Sequence, residues 1–300
     1  MKMSNCMSTS FFSLNANGVL MTFDRPVVMG ILNATPDSFY AGSRVQTERE
    51  IARRAAEIVE EGGMMVDVGA FSTRPGAAEV KLEEEMERLR FALGIVRREV
   101  PNVLLSVDTF RPEIATMAVE EFGASVINDV SEGGVTGIAN VRLDGEATEV
   151  PEIFRTVARL QVAYVLMSVR PTLAETLQVL SKKVQLLRSL GQKDIIIDPG
   201  FGFGKTLGQN YALMSQMESL HSLELPLLVG VSRKSMIYKL LETMPDTSLN
   251  ATTVLHSVAL MKGAHVLRVH DVRAAVEAVL IHDALSSRSG TLSLQERLNK

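Results

Sequence analysis

A (β/α)8 barrel of the TIM type, an α/β fold with an N-terminal β-hairpin plugging its lower end, is what the sequence predicts, on three observations. Eight short apolar runs follow one another along the chain, each about the length of a buried strand. Longer amphipathic stretches separate them, an alternation that gives parallel strands covered by helices on their outer face. Each strand-plus-helix unit takes about 30 residues, and eight such units fill the roughly 250 residues of a closed barrel. A doubly wound open sheet shows the same local pattern, so periodicity alone leaves that alternative standing. The 300 residues are expected to divide into a flexible N-terminus over 1–11, one barrel domain over 12–286 and a C-terminal tail over 287–300.

The first element is the segment from Phe12 to Phe23, with Asn17-Gly18 at its centre. That dipeptide suits a two-residue hairpin turn because both residues tolerate positive φ. The strands follow at Val27 to Leu32, Met64 to Val68, Val103 to Val107, Ser125 to Asn128, Ala163 to Met167, Ile195 to Asp198, Leu227 to Val231 and Val266 to Val269. Helical periodicity runs through Thr47 to Glu61, Lys81 to Arg98, Pro112 to Phe122, Leu173 to Leu190 and Asn250 to Met261. Ala274 to Leu285 is apolar enough for a barrel's outer helix or for a subunit contact. Ser131 to Val150, rich in glycine and charge, is long for a βα loop and reads as a disordered insertion.

Composition narrows the function classes. The chain is 46% hydrophobic and 22% charged, the balance of a soluble globular enzyme, and its formal charge of -4 gives no basic surface for nucleic acid. Cys6 is the single cysteine, which excludes an internal disulfide framework and a cysteine-rich metal site and suits a reducing cytoplasm. No segment approaches the roughly 20 apolar residues of a membrane span. Polar Ser13, Asn15 and Asn17 interrupt the apolar residues near the N-terminus before they form a secretion-type core.

In barrels of this kind, chemistry concentrates at the C-terminal ends of the strands. Here those ends carry Asn33, then Ser72-Thr73-Arg74, Asp108, Asn128-Asp129, Asp198, Ser232-Arg233-Lys234-Ser235, and Arg268 with His270. Each has a structural explanation alone: Asp108 or Asp129 can cap the next helix, and Arg268 can pair with a neighbouring carboxylate. A polar group at nearly every strand end is harder to explain that way. The Asp198-Pro199-Gly200-Phe201-Gly202-Phe203-Gly204-Lys205 loop places a carboxylate at the end of a buried strand, where it needs matched donors. Its glycines let backbone approach a flat ligand between aromatic walls. Asp108, Asn128, Asp198 and Lys234 offer donors and acceptors to an amide-amidine ring edge such as a pterin presents. Asn33, Arg268 and His270 with Arg74 suit phosphate oxygens or a hydrated metal. Ser235 and nearby amides, where the chain enters a helix, suit a carboxylate. His270-Asp271 invites a nucleophilic-triad reading, but no serine sits on a nucleophile-elbow turn.

Together, Met29 to Phe39 with its Asn33-Ala34-Thr35-Pro36-Asp37-Ser38-Phe39 core, Asp67-Val68-Gly69, Ser72-Thr73-Arg74-Pro75-Gly76-Ala77, Ser106-Val107-Asp108-Thr109, Ile127-Asn128-Asp129-Val130, the Asp198 loop, Ser232 to Ser235 and Arg268 to Val272 resemble the dihydropteroate synthase family. The resemblance is in order and spans roughly residues 12 to 282. It implies a (β/α)8 enzyme of folate biosynthesis that joins 4-aminobenzoate to (7,8-dihydropterin-6-yl)methyl diphosphate and releases diphosphate. Carried over by position, Asp108, Asn128, Met167, Asp198, Gly230 and Lys234 would hold the pterin. Asn33, Arg74, Arg268 and His270 would hold diphosphate with Mg2+, Asn33 serving as protein ligand to the metal. Phe39, Thr73, Arg74, Pro75, Phe203 and Ser235 would surround the aminobenzoate. The catalytic set is then Asn33, Asp108, Asp198, Lys234, Arg268 and His270. The resemblance further implies sulfonamides as inhibitors and a cytoplasmic homodimer.

Four departures from the family pattern stand out, one of them the greater length of the Ser131 to Val150 stretch. Tyr40-Ala41-Gly42 replaces Ser-Asp-Gly, Ala70-Phe71 replaces Gly-Glu, and Met167-Ser168 stands where Met-His is frequent. The changes at Ala41 and at Ala70-Phe71 are expected to alter sulfonamide sensitivity. Two other readings share the pterin contacts: a methyltransferase acting on methyltetrahydrofolate, which has no use for the diphosphate residues, and a catalytically silent pterin-binding paralogue.

Overall fold

The computed structural model describes residues 12–34, 44–70, 80–134 and 150–286, so the expected N-terminal and C-terminal tails lie outside the described residues. Two antiparallel strands, β1 (Phe12–Ala16) and β2 (Val19–Phe23), form the hairpin around Asn17-Gly18, both at positive φ. The barrel strands are β3 (Val27–Asn33), β4 (Met65–Gly69), β5 (Leu104–Asp108), β6 (Val126–Asp129), β7 (Ala163–Met167), β8 (Ile195–Asp198), β9 (Leu228–Val229) and β10 (Val266–Val269). Around them lie α1 (Arg44–Glu60), α2 (Leu82–Glu99), α3 (Pro112–Phe122), α4 (Glu152–Leu160), α5 (Leu173–Ser189), α6 (Leu207–Ser215), α7 (Ser235–Tyr238), α8 (Leu249–Met261) and α9 (Val272–Ser286).

Register decides between barrel and open sheet. Parallel pairing runs in chain order from β3 to β8, and β10 pairs with β3 on one side and β9 on the other. A parallel bridge between Ile197 and Leu227, with the Ile197 amide donating to Pro226 O at 2.9 Å, joins the two ends into a ring. β9 is the weakest stave, two residues where the sequence predicts a run to Val231. The chain leaves the ladder at Gly230 to turn through Ser232 and Arg233, the latter at φ 54.

Side chains of a strand alternate between faces, so each stave has an inward row and an outward row. The outward residues, among them Val28, Leu32, Val66, Val68, Leu105, Val107 and Ile127, pack with the helices into one core. The inward residues at the strand starts form a second core: Val27, Met29, Met65, Leu104, Val126, Ala163, Ile196, Leu228 and Val266. Phe12, Leu14, Ala16 and Phe23 of the hairpin belong to that second core. Phe12 stacks on Phe23 at 4.7 Å and meets His265 edge-on at 5.6 Å. Asn17 ties the hairpin tip to the loop between α3 and β6, its Nδ2 donating to Gly123 O at 2.8 Å and Ser125 Oγ at 3.3 Å. The hairpin therefore plugs the lower end, as expected.

Continued upward, the same inward rows turn polar. β3 ends on Asn33, β4 carries Asp67, β5 Ser106 and Asp108, β6 Asn128, β8 Asp198, and β10 Arg268 followed by His270. In register, Asn33 lies beside Gly69, Gly69 beside Asp108 and Asp108 beside Asn128. One row of the sheet thus brings together residues from four separate sequence motifs. None of the described helices is long and apolar enough to cross a membrane.

Candidate active site at the barrel mouth

Asp67 anchors the upper end of the barrel. Its Oδ1 accepts from Ser106 Oγ at 2.6 Å, and its Oδ2 accepts from Arg268 Nε at 2.6 Å and Asn128 Nδ2 at 3.0 Å. Arg268 also donates through Nη2 to Asp108 Oδ2 at 2.8 Å, so one guanidinium bridges two carboxylates. Arg268, grouped by its chemistry with the anion-binding residues, thus lies directly against Asp108 of the ring-binding set. Its pairing with carboxylates is also the structural role that its sequence position allowed. Burial pushes the Asp108 carboxyl up to about 7, against the opposite pull of Arg268.

Asp198 and Lys234 form the second part. The Asp198 carboxylate accepts the Gly200 amide at 2.7 Å. Burial raises its pKa, and the charges of Lys234 and Lys205 oppose the rise. Lys234 Nζ donates to Phe201 O at 2.6 Å and stands 4.5 Å from the centre of the Phe203 ring. Burial lowers the Lys234 ammonium to about 8, with Asp198 opposing. The loop reaches this conformation through Gly200, at φ 69 with the position of a missing Cβ only 2.0 Å from Ser168 O, so no side chain fits there. The sequence predicts two aromatic walls, but Phe201 is fully buried in the helix-side core. Phe203 alone stays at the surface of the loop, because the positive-φ glycines break simple alternation. Lys205, which the sequence did not mark as a site residue, pins the loop through Ser168 O, Gly200 O and Phe203 O. Its ammonium is lowered to about 8 by burial.

Gly230 lies between the two cations: a Cβ there would stand 3.7 Å from Lys234 Nζ and 3.8 Å from Arg268 Cβ. Met167 is fully buried at the end of β7, beside Asp198 in register. Asn33 is exposed at the end of β3. Among the described residues no carboxylate bonds His270: its amide donates to Ser232 Oγ at 3.2 Å and its Nδ1 lies 3.4 Å from the same oxygen. Burial, reinforced by the charge of Arg268, lowers it to about 4, so it is a neutral imidazole near pH 7. Asp271 pairs instead with Arg233, at 2.6 and 3.0 Å, which leaves no triad. Ser235 opens α7, but that helix is one turn of four residues and gathers little dipole for a carboxylate. Phe39, Thr73, Arg74 and Pro75, with Ala41 and Phe71, lie outside the described residues.

Asp129, a candidate helix cap, turns outward and secures its own loop instead. It accepts the amides of Ser131 at 2.6 Å and Gly133 at 3.1 Å and the hydroxyl of Tyr164. The opening of the Ser131 to Val150 stretch is built into the protein: Glu132, fully buried, accepts the Val169 amide at 2.9 Å and pairs with Arg170 at 2.9 Å and Lys183 at 3.4 Å. Residues 135–149 of that stretch lie outside the described ones.

Asp67 is the functional residue that strand-end reasoning passes over. It sits within an apolar run rather than at its end, yet a carboxylate there carries the signal that marked Asp198: it must find donors inside the barrel.

The model of the family described as pterin binding enzyme matches residues 29–270. The dihydropteroate synthase of Escherichia coli K12 is 35% identical over 291 residues, covering 91% of this chain and 96% of its own length. Among solved structures, a Xanthomonas albilineans dihydropteroate synthase with 4-aminobenzoic acid superposes with a TM-score of 0.79 at 35% identity, covering 92% of this chain and 98% of the other. A Yersinia pestis dihydropteroate synthase in complex with a sulfonamide drug gives 0.78 at 32% identity, covering 92% and 100%.

Proposed function

The chain belongs to the pterin binding enzymes, and among them to the dihydropteroate synthases, and from that premise we propose the division of labour at its barrel mouth. The reaction joins 4-aminobenzoate to (7,8-dihydropterin-6-yl)methyl diphosphate. The amine nitrogen forms a bond to the methylene carbon, the carbon–oxygen bond to diphosphate breaks with its electron pair, and the nitrogen loses one proton. An arylamine is largely neutral near pH 7, so no strong base is required. Fixed charge must instead favour the leaving group and the electron-poor methylene.

The observation that carries the reading is the polar layer of Asp67, Asp108, Asn128, Asp198, Lys234 and Arg268 at the C-terminal end of an otherwise apolar lumen. Asp108, Asn128 and Asp198 are acceptors and donors for the ring's amidine edge, and Lys234 donates to its carbonyl side. Met167 and Gly230 line the ring without competing for its hydrogen bonds. Arg268 and neutral His270, with Arg74, hold the diphosphate. Phe203 and Ser235, with Phe39, Thr73 and Pro75, receive the aminobenzoate.

Asn33 offers one neutral oxygen at an exposed strand end, which suits Mg2+, an ion that keeps several waters and takes one or two protein oxygens beside substrate phosphates. Bound there with the diphosphate, Mg2+ would supply neutralisation of the charge that builds on it. We take residues 12–286 as the catalytic unit and the cytoplasm as its location. A homodimer is supported by apolar residues exposed on neighbouring helices, Val254 and Met261 of α8 and Ile281 and Leu285 of α9.

The test is diphosphate release by the purified protein given the pterin diphosphate and Mg2+, with and without 4-aminobenzoate. Release that depends on aminobenzoate, with dihydropteroate as product, is expected. Pterin binding without release would mark a silent paralogue and overturn the reading. Light scattering of the same sample checks for the mass of two chains.

A further inference from the structure

Asp67 lies a layer below the groups that face the pterin in the proposed reading, fully buried, and its bonds decide what one of those groups can offer. An asparagine amide can present either its oxygen or its nitrogen in a given direction. Asn128 has no such freedom. The atom facing it is Oδ2 of Asp67, a carboxylate oxygen that already accepts Arg268 Nε at 2.6 Å. Only the amide nitrogen can meet that oxygen, at 3.0 Å, and the carbonyl is turned the other way. That carbonyl, Oδ1 of Asn128, is buried and has no hydrogen-bond partner among the described residues. A buried acceptor without a donor is costly, and native proteins leave few of them. A ligand N–H would satisfy it.

We propose that Asp67 is a positioning residue that fixes the polarity of Asn128, so that the site offers the heterocycle a carbonyl acceptor there and selects rings carrying an N–H at that point. Ser106, by holding Oδ1 of Asp67 at 2.6 Å, keeps the carboxylate from rotating away. Arg268 shares the anchor, so the arginine that serves the diphosphate and the amide that reads the ring are set by one carboxylate. The inference rests on the pterin-binding reading of the mouth.

The test is a charge-swap cycle read by calorimetric binding of 6-hydroxymethylpterin to the full chain. Asp67→Asn keeps the volume but frees the Asn128 amide to turn, and Asn128→Asp sets two carboxylates against each other. Each is expected to weaken binding by at least about tenfold. In the double variant, the amide introduced at position 67 can donate to the carboxylate introduced at position 128, whose outer oxygen again accepts from the ring, while Arg268 gives up its Nε bond at position 67 and keeps Asp108 through Nη2. Binding should return to within about threefold of the unaltered chain. The KM for 4-aminobenzoate should move little in Asp67→Asn. Affinity unchanged in Asp67→Asn, or a double variant as weak as the product of the two singles, would overturn the proposal.

A second measurement needs no variant. In the 15N-labelled chain the Asn128 side-chain amide should stay protected from exchange when the pterin binds. Loss of that protection would mean the amide turns to the ligand, and the proposal fails. If the unaltered chain binds no pterin at all, it is the functional reading that fails, not the inference alone.

Discussion

The two ends of the barrel lumen are built from the same strands, and often from residues only two apart, yet they obey opposite rules. At the lower end Val27, Met65, Leu104, Val126 and Val266 close on the hairpin's Phe12, Leu14 and Phe23 in a layer where every side chain is apolar. Such a layer gains from burial and asks nothing of water. Two residues further on, the inward positions become Asp67, Ser106, Asn128 and Arg268, groups that burial penalises unless each finds a partner. Among the described residues most of that demand is met internally, through Asp67 and Arg268, and Asn128 Oδ1 is left unmet. The lower end holds the barrel together so that the upper end can tolerate charge. Substitutions below should then change stability and leave catalysis alone, and those above should do the reverse.

The largest effect is expected from Phe12→Ala. Phe12 is 6% exposed, stacked on Phe23 and edge-on to His265, so its removal opens a cavity that the ring of strands cannot collapse to fill. A loss of about 3–5 kcal/mol of stability is expected. Denaturant unfolding should show a lower midpoint, while kcat/KM of the folded enzyme stays within about twofold of the original. A fall in kcat/KM comparable to the loss of stability would mean that the two ends are coupled and that the comparison is wrong.

The lower end is also the part that the sequence states most clearly. Parallel strands buried on both faces must be apolar at consecutive positions, which is why all eight staves stand out as runs, most within a residue of their observed ends. Asn17-Gly18 marks the hairpin turn for an equally local reason, the need for two positive φ angles. The upper end is legible in composition but not in pairing. Asp198, Asp108 and Arg268 can be named from their strand ends. That Arg268 lies on Asp67 depends on closing a ring across 201 residues of chain, which no local pattern encodes. The position of Phe203 at the loop surface and the burial of Phe201 depend on Gly200 and Gly202 at φ 69 and 82, angles that a list of residues does not contain.

The next effect sharpens the comparison from above. Burial raises Asp108 to about 7 and lowers Lys234 to about 8, each shift opposed by a charged neighbour, Arg268 for the first and Asp198 for the second. In the proposed division of labour, pterin recognition uses Asp108 as an ionised acceptor and Lys234 as a charged donor. The profile of kcat/KM for the pterin diphosphate against pH should therefore be bell-shaped, with apparent limbs near 7 and 8, each falling about tenfold per pH unit. Stability carries the opposite sign. Asp108 holds its proton more tightly folded than unfolded, so its contribution is full below its ordinary 3.8 and is lost as pH rises through about 7. Lys234 contributes above its ordinary 10.5, and that contribution is lost as pH falls through about 8. The working range is thus where both groups cost the fold most. Asp108→Asn should abolish the acid limb, and a limb that survives in that variant would assign it to another group.

The smallest effect isolates the hairpin as a plug and nothing more. Asn17 is exposed, far from the mouth, and sits at φ 52, a conformation that asparagine tolerates better than residues with larger or unbranched apolar side chains. Its Nδ2 donates to Gly123 O at 2.8 Å and to Ser125 Oγ at 3.3 Å, joining the turn to the loop between α3 and β6. Asn17→Ala removes both bonds and puts alanine in the left-handed region, at a combined cost of about 1–2 kcal/mol. Asn17→Gly removes the same bonds but relieves the backbone, so it should lose less than Asn17→Ala. The difference between the two variants, read as a shift in thermal midpoint, measures the backbone part alone. Both should bind 6-hydroxymethylpterin as the unaltered chain does. Weaker pterin binding in either one would mean that the hairpin's seating reaches β6 and Asn128, three residues on from Ser125 along the chain, and that the lower end sets the geometry of the upper one.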